Sequence, residues 1–208
     1  IDGRPLSKMK KLIMFDLDGV LIDSISNMRL SWEKTCQIHD ISVPFEEYEK
    51  RIGRPFRDII EDLGIEYTST IKKTYDTSSI ELLDQIKIFE GVHELLVALT
   101  VVKGRKIAIC TSKDIDRTNK ILEKIAKFDY VCSPKHGLRG KPSPDQLLYT
   151  CAFCNVDPSD TLYVGDMDVD RQAAERAGID FVHASYGYGN VKCEKSIQNP
   201  IELLKLLD

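Results

Sequence analysis

Nowhere in its 208 residues does the chain carry an apolar run approaching the roughly 18 to 20 residues that cross a bilayer. Nor does a signal peptide with an apolar centre precede its first apolar strand, so the cytoplasm is the expected compartment and no membrane partner is expected. An excess of positive charge is also missing: 29 Lys and Arg against 33 Asp and Glu give a net charge of -4 and a pI near 5.7. Such a balance gives nucleic acid no basic surface to bind, whereas a small acidic or neutral molecule fits. Six cysteines (Cys36, Cys110, Cys132, Cys151, Cys154, Cys193) lie scattered in apolar segments and read as reduced, mostly buried thiols. The one paired spacing, "CAFC", has no second pair to complete a zinc site. Repeats and low-complexity tracts are absent as well.

What is present suits one full domain with a modest insertion, since 42% of the residues are hydrophobic and can bury a proper core. Short β-rich runs recur at 11–15, 106–110, 130–132, 161–164 and 180–184, each followed by a helical pattern. Runs that are apolar without alternation belong to strands covered on both faces, so the expected fold is α/β, a doubly wound parallel sheet with helices on each side. Helix signals follow the strands: Gly91 before "VHELLVAL", Lys113 before "DIDRTNKILEKI", Pro144 at the start of "DQLLYTCAFC", and Gly178 closing "VDRQAAERA". About ninety residues separate the first two strands, far more than one crossover helix needs. They read as amphipathic helices near 24–39, 45–52, 55–63 and 69–84. The expected organisation is a core of 9–22 and 89–208 with a small α-helical insertion, 23–88, over the carboxyl end of the sheet. The first eight residues, "IDGRPLSK", resemble an appended protease site, which makes Met9 the expected native start.

The chemistry concentrates at strand ends. "LIMF" runs into Asp16 and Asp18, and "YVG" runs into Asp166 and Asp170. In an open α/β sheet both strand ends face one edge, which brings four carboxylates toward convergence. Two such charges about 4 Å apart repel by roughly 4 kcal/mol at an effective dielectric of 20, so the cluster calls for a cation. With oxygen ligands and neither His nor Cys at these positions, the expected ion is Mg²⁺ before Zn²⁺. After "IAIC", Thr111 and Ser112 offer a hydroxyl and backbone N–H groups at the start of a helix, a cradle for an anionic oxygen. Lys141, in "GKPSP", supplies a compensating cation. Each feature has a plainer reading on its own: a turn at Asp18-Gly19, helix N-terminal charge for Asp170, caps for Thr111 and Ser112, a solvated lysine at 141.

Taken in order, "DLDGVLIDS", Thr111, Lys141 in "GKPSP" and "GDMDVDRQAAERAG" resemble the four motifs of the haloacid dehalogenase superfamily, in the branch of phosphoglycolate phosphatase and β-phosphoglucomutase. "EGVHELL" and "YGYG" extend the resemblance over about residues 11 to 190. It implies that Asp16 is a nucleophile forming an aspartyl-phosphate and that Asp18 is the general acid and base. It further implies Mg²⁺ on Asp16, the Asp18 backbone carbonyl and Asp166, with Asp170 a ligand through water or a support. Thr111 and the Ser112 backbone would hold phosphate oxygens, although Ser112 stands where the family often has Asn. Lys141 would neutralise charge. Asp168 reads as a solvated acid, and the insertion resembles the family's cap, to which Arg54 would belong with no committed role. The expected activity is hydrolysis of a small phosphorylated metabolite. The alternative is a phosphomutase with the same residues; a dehalogenase would need neither Asp18 nor the metal cluster, and a binding module would show a broken set. Substrate identity and the choice between monomer and homodimer are not legible.

Overall fold

Alternate residues along each strand feed two separate cores. The computed structural model describes residues 9–207; the expectation for residues 1–8 falls outside them. Its strands are β1 (Leu12–Phe15), β2 (Ile22–Asp23), β3 (Lys87–Ile88), β4 (Lys106–Cys110), β5 (Tyr130–Cys132), β6 (Thr161–Gly165), β7 (Asp180–Ala184) and β8 (Ser196–Ile197). Six of them form a parallel sheet in the order β5-β4-β1-β6-β7-β8. The helices are α1 (Ile25–His39), α2 (Phe45–Glu49), α3 (Phe56–Asp62), α4 (Ser69–Glu81), α5 (Val92–Thr100), α6 (Ile115–Leu122), α7 (Asp145–Cys154), α8 (Asp168–Ala177) and α9 (Leu203–Leu207).

Ile13, Phe15, Ile107, Ile109, Leu162 and Val164 turn to one face, where they pack on α5, α6 and α9. Leu12, Met14, Ala108, Cys110 and Tyr163 turn to the other, against α7 and α8. Because both faces are covered, the strands read as unbroken apolar runs in sequence. The doubly wound fold is as expected, and the helix punctuation holds: Gly178 takes the left-handed conformation that closes α8. Cys110, Cys132, Cys151 and Cys154 are buried in the second core and free, so "CAFC" belongs to helix packing.

Two features depart from the expectation. The sheet gains a sixth strand, β8, whose two residues are too short for any period to reveal. β2 and β3 pair antiparallel as a separate two-stranded ribbon, Ile22 opposite Ile88 and Asp23 opposite Lys87. Every regular element between them is helical. The four α-helices there bury Met28, Trp32, Phe45, Tyr48, Phe56, Ile59, Ile60, Ile71 and Tyr75 in a third cluster of their own. Residues 71, 75, 78 and 79 of α4 are buried at helical spacing, and the Thr68 hydroxyl caps that helix by accepting from the Ile71 N–H. Met167 and Tyr188 of the sheet layer pack against this cluster, so the helical segment lies over the carboxyl ends of the strands.

Candidate active site

β1 and β6 are neighbours, and the Asp16 N–H donates to the Val164 carbonyl at 2.9 Å, so the two strands deliver Asp16 and Asp166 side by side. One carboxylate oxygen each from Asp16, Asp166 and Asp170 falls within 4.8 Å of the others, all three side chains being buried. Close packing forces this approach. Gly19, at φ +77°, has no room for a side chain: a Cβ there would stand 2.1 Å from Asp166 Oδ2. Gly187 is equally confined, with its would-be Cβ 2.4 Å from the Gly19 carbonyl oxygen.

Lys141 ties the cluster together. Its side chain is fully buried, and the ammonium donates to Asp170 Oδ1 at 2.7 Å and to the Tyr163 hydroxyl at 3.0 Å while pairing with Asp16 Oδ2 at 3.1 Å. Burial alone would lower its pKa, but Asp16 and Asp170 outweigh burial and hold it well above the usual lysine range. Burial pushes Asp16 up to about 7 against the opposing pull of Lys141, with Asp170 and Asp18 adding to the rise. Asp166 is driven well up for the same first reason, then by Asp170 and Asp16. Three buried carboxyls against one ammonium leave the cluster short of positive charge.

The four predicted acids part company here. Asp18 does not join the cluster with its side chain: Oδ1 accepts from the Ser24 hydroxyl and lies 3.0 Å from the Lys113 ammonium. The turn Asp18-Gly19-Val20-Leu21, stitched by Gly19 N–H to the Ile22 carbonyl and Leu21 N–H to the Leu17 carbonyl, carries that carboxyl away from the cluster. Asp170 is held by three hydrogen bonds: Oδ1 accepts from Lys141 and Tyr163, and Oδ2 accepts from the Met167 N–H at 3.0 Å. Asp168 is exposed and paired with Arg171, as a solvated acid should be.

The anion cradle is narrower than expected, because the Thr111 N–H donates to the Cys132 carbonyl at 2.9 Å in continuation of the strand pairing. What remains is the Thr111 hydroxyl and the Ser112 N–H. The Ser112 hydroxyl donates to the Gly53 carbonyl at 2.7 Å and so joins the sheet rim to the helical segment. Arg54 lines the same cleft with its guanidinium 3.5 Å from Asp62.

Several residues that the sequence reading passed over belong to this site. Lys113 stands two positions after Thr111 in "CTSK"; burial lowers its pKa, with Asp18 pulling the other way. Arg117, one turn further along α6, is 5% exposed and donates to the Ser79 hydroxyl at 3.2 Å. Its spacing of four from Lys113 was the available signal. Tyr163 looked like one more apolar strand residue. Tyr188 donates its N–H to Asp166 Oδ2 at 2.8 Å while its hydroxyl accepts from the Ser24 N–H at 2.7 Å.

A divalent cation fits the donor set. Among the described residues Asp166 Oδ1 is buried without a hydrogen-bond partner, and hard carboxylate oxygens surround it.

The family description for haloacid dehalogenase-like hydrolases matches residues 13–184, and the chain belongs to that family. It is 30% identical over 214 residues to a phosphoglycolate phosphatase of Aquifex aeolicus, covering 95% of this chain and 97% of the relative. An N-acetylmuramic acid 6-phosphate phosphatase of Pseudomonas putida is 29% identical over 228 residues, covering 95% and 96% of the two chains. The crystal structure of a hydrolase from Pseudomonas syringae superposes with a TM-score of 0.84 at 24% identity, covering 96% of this chain and 98% of that one. The chain is thus a phosphatase of the haloacid dehalogenase type, a phosphoric monoester hydrolase.

Proposed function

We propose that the protein hydrolyses a small phosphomonoester with Mg²⁺ as cofactor, through an aspartyl-phosphate on Asp16. The observation that carries this reading is the meeting of Asp16, Asp166 and Lys141 at one rim with an unpartnered oxygen on Asp166. Asp16, Asp166 and the Asp18 backbone carbonyl would hold the ion, and Asp170 supports them by orienting Lys141. When bound, Mg²⁺ supplies the charge neutralisation that lets an anionic carboxylate approach an anionic phosphate.

The chain's own groups divide the remaining work. Asp16 attacks phosphorus in line, which splits one difficult hydrolysis into two displacements. Asp18 protonates the departing alkoxide and then takes a proton from the water that cleaves the acyl phosphate. Ser24 and Lys113 hold its side chain at the cleft. The Thr111 hydroxyl and Ser112 N–H hold phosphate oxygens, and Lys141 offsets their charge.

The segment 23–88 acts as a cap. With the cap in its present position, the space open to water between the rim and Met28, Tyr48, Ile52, Phe56 and Tyr75 is about 40 Å³. That admits about three waters and no phosphoester, so substrate enters by movement of the helices on the β2–β3 ribbon. Phosphate release from a panel of phosphorylated metabolites tests the reading. Hydrolysis of two- or three-carbon esters that stops with chelator and with Asp16→Asn supports it. Isomer formation without free phosphate assigns a mutase instead, and full activity in Asp16→Asn removes the nucleophile.

A further inference from the structure

A second cavity, away from the acidic rim, lies in the angle between the β2–β3 ribbon and α6. Its volume is about 180 Å³. The floor is aliphatic, made of Ile22 and Ile88, which face each other across the ribbon, together with Leu83, Ile86 and Ile121. Ile22 and Ile121 are buried, whereas Leu83, Ile86 and Ile88 are only half-buried, so the apolar wall opens to solvent. The remaining lining residues are Lys120 and Lys124, one helical turn apart and both exposed. Among the described residues neither ammonium has a carboxylate partner, and the nearby acids Asp84 and Glu123 do not line the cavity. Water gains little in such a place, because five aliphatic side chains offer it no hydrogen bonds.

We propose that this cavity is a binding site for an organic monocarboxylate with a short aliphatic tail, the tail on the isoleucine floor and the carboxylate between Lys120 and Lys124. The size sets the tail: an apolar cavity of about 150 Å³ takes a six-carbon ring, so one slightly larger takes a chain of about six carbons. The charges set the head group, since the two lysines that line the cavity, neither with a carboxylate partner among the described residues, select an anion over an alcohol or an amine. The occupant touches both strands through which the chain leaves and rejoins the sheet. It therefore braces the ribbon on which the helical segment is carried. None of the acidic-rim residues takes part, so the site stands independently of the reading given for that rim.

Hexanoate is the probe, with hexanol and hexylamine as its neutral and cationic counterparts, titrated into the full chain carrying labelled isoleucine methyls. Hexanoate is expected to shift Ile22, Ile86, Ile88 and Ile121 saturably, with a Kd on the order of 1 mM. Lys120→Glu with Lys124→Glu, both at exposed positions, is expected to weaken binding about tenfold. Ile86→Phe, which fills the slot, should abolish the shifts while leaving the rest of the spectrum in place. Amide exchange of the ribbon should slow when hexanoate is bound. Failure of these methyls to saturate, or equal binding of hexanol and hexanoate, overturns the proposal. So does undiminished binding to the doubly substituted protein.

Discussion

The two walls of the cleft are built on opposite principles. The sheet rim is made of buried charges, each held by a strand end or a backbone N–H: Asp16 by the Leu17 N–H, Asp166 by that of Tyr188, Asp170 by that of Met167. The helical wall is aromatic, with Phe56 and Tyr75 ring centroids 4.7 Å apart and Trp32 and Tyr48 4.8 Å apart. Most of its ion pairs, such as Lys34 with Glu81, lie in solvent. The difference assigns the labour. Chemistry needs charges that do not move, and a parallel sheet supplies fixed strand ends. The helical wall coheres through its own aromatic cluster, and its charges lie at or near the surface. Buried Arg117 is the exception, reaching from α6 across to Asp76 at 3.2 Å and to Ser79.

Removing the rim's ammonium should have the largest effect on stability. Lys141→Ala leaves Asp16 and Asp170 buried with no compensating cation, and urea unfolding should show a loss of about 3–5 kcal/mol. Adding Asp170→Asn to that variant should restore part of the loss; strict additivity would break the claim that the groups act as a unit.

Next comes pH. The Asp16 carboxyl sits at about 7 in the folded protein against an ordinary 3.8, so between those values the folded state holds a proton that the unfolded state has released. Asp16 should therefore make the metal-free protein less stable as pH rises through this window, by up to a few kcal/mol. Asp16→Asn should reduce that slope in unfolding curves taken at about pH 5 and pH 8, leaving the part due to Asp166, which burial also drives up. A slope unchanged in this variant would move the effect to another group.

Mg²⁺ at about a hundredfold excess over its Kd should raise the melting temperature by about 5–10 °C. Asp166→Asn should remove that increment and make the metal-free protein more stable, because one of three crowded carboxyls is gone. Equal increments in both proteins would take Asp166 out of the metal site. The smallest change belongs to the helical side, where Lys34→Ala, which breaks an exposed pair, should alter stability by no more than about 0.5 kcal/mol.

Legibility followed the same division. Asp16, Asp166, Thr111 and Lys141 could be read because each sits at a position the chain marks locally, by an apolar run before it or a glycine and proline beside it. Tyr163 could not, since its hydroxyl matters through Lys141 and the Cys110 carbonyl, both from other segments of the chain. Lys113 and Arg117 were hidden for a related reason: a helical pattern of polar residues looks solvated until another layer covers it.

Sequence by itself determined the parallel sheet, the helical insertion and the residue types gathered at the strand ends, because unbroken apolar runs and short-range punctuation are local properties. Tertiary structure alone decided that Asp18 turns toward Lys113 while Asp170 turns toward Lys141. It also decided that an oxygen of Asp166 is left without a partner. Those outcomes depend on which groups from remote segments reach hydrogen-bond distance once the layers close, and no spacing along the chain encodes that.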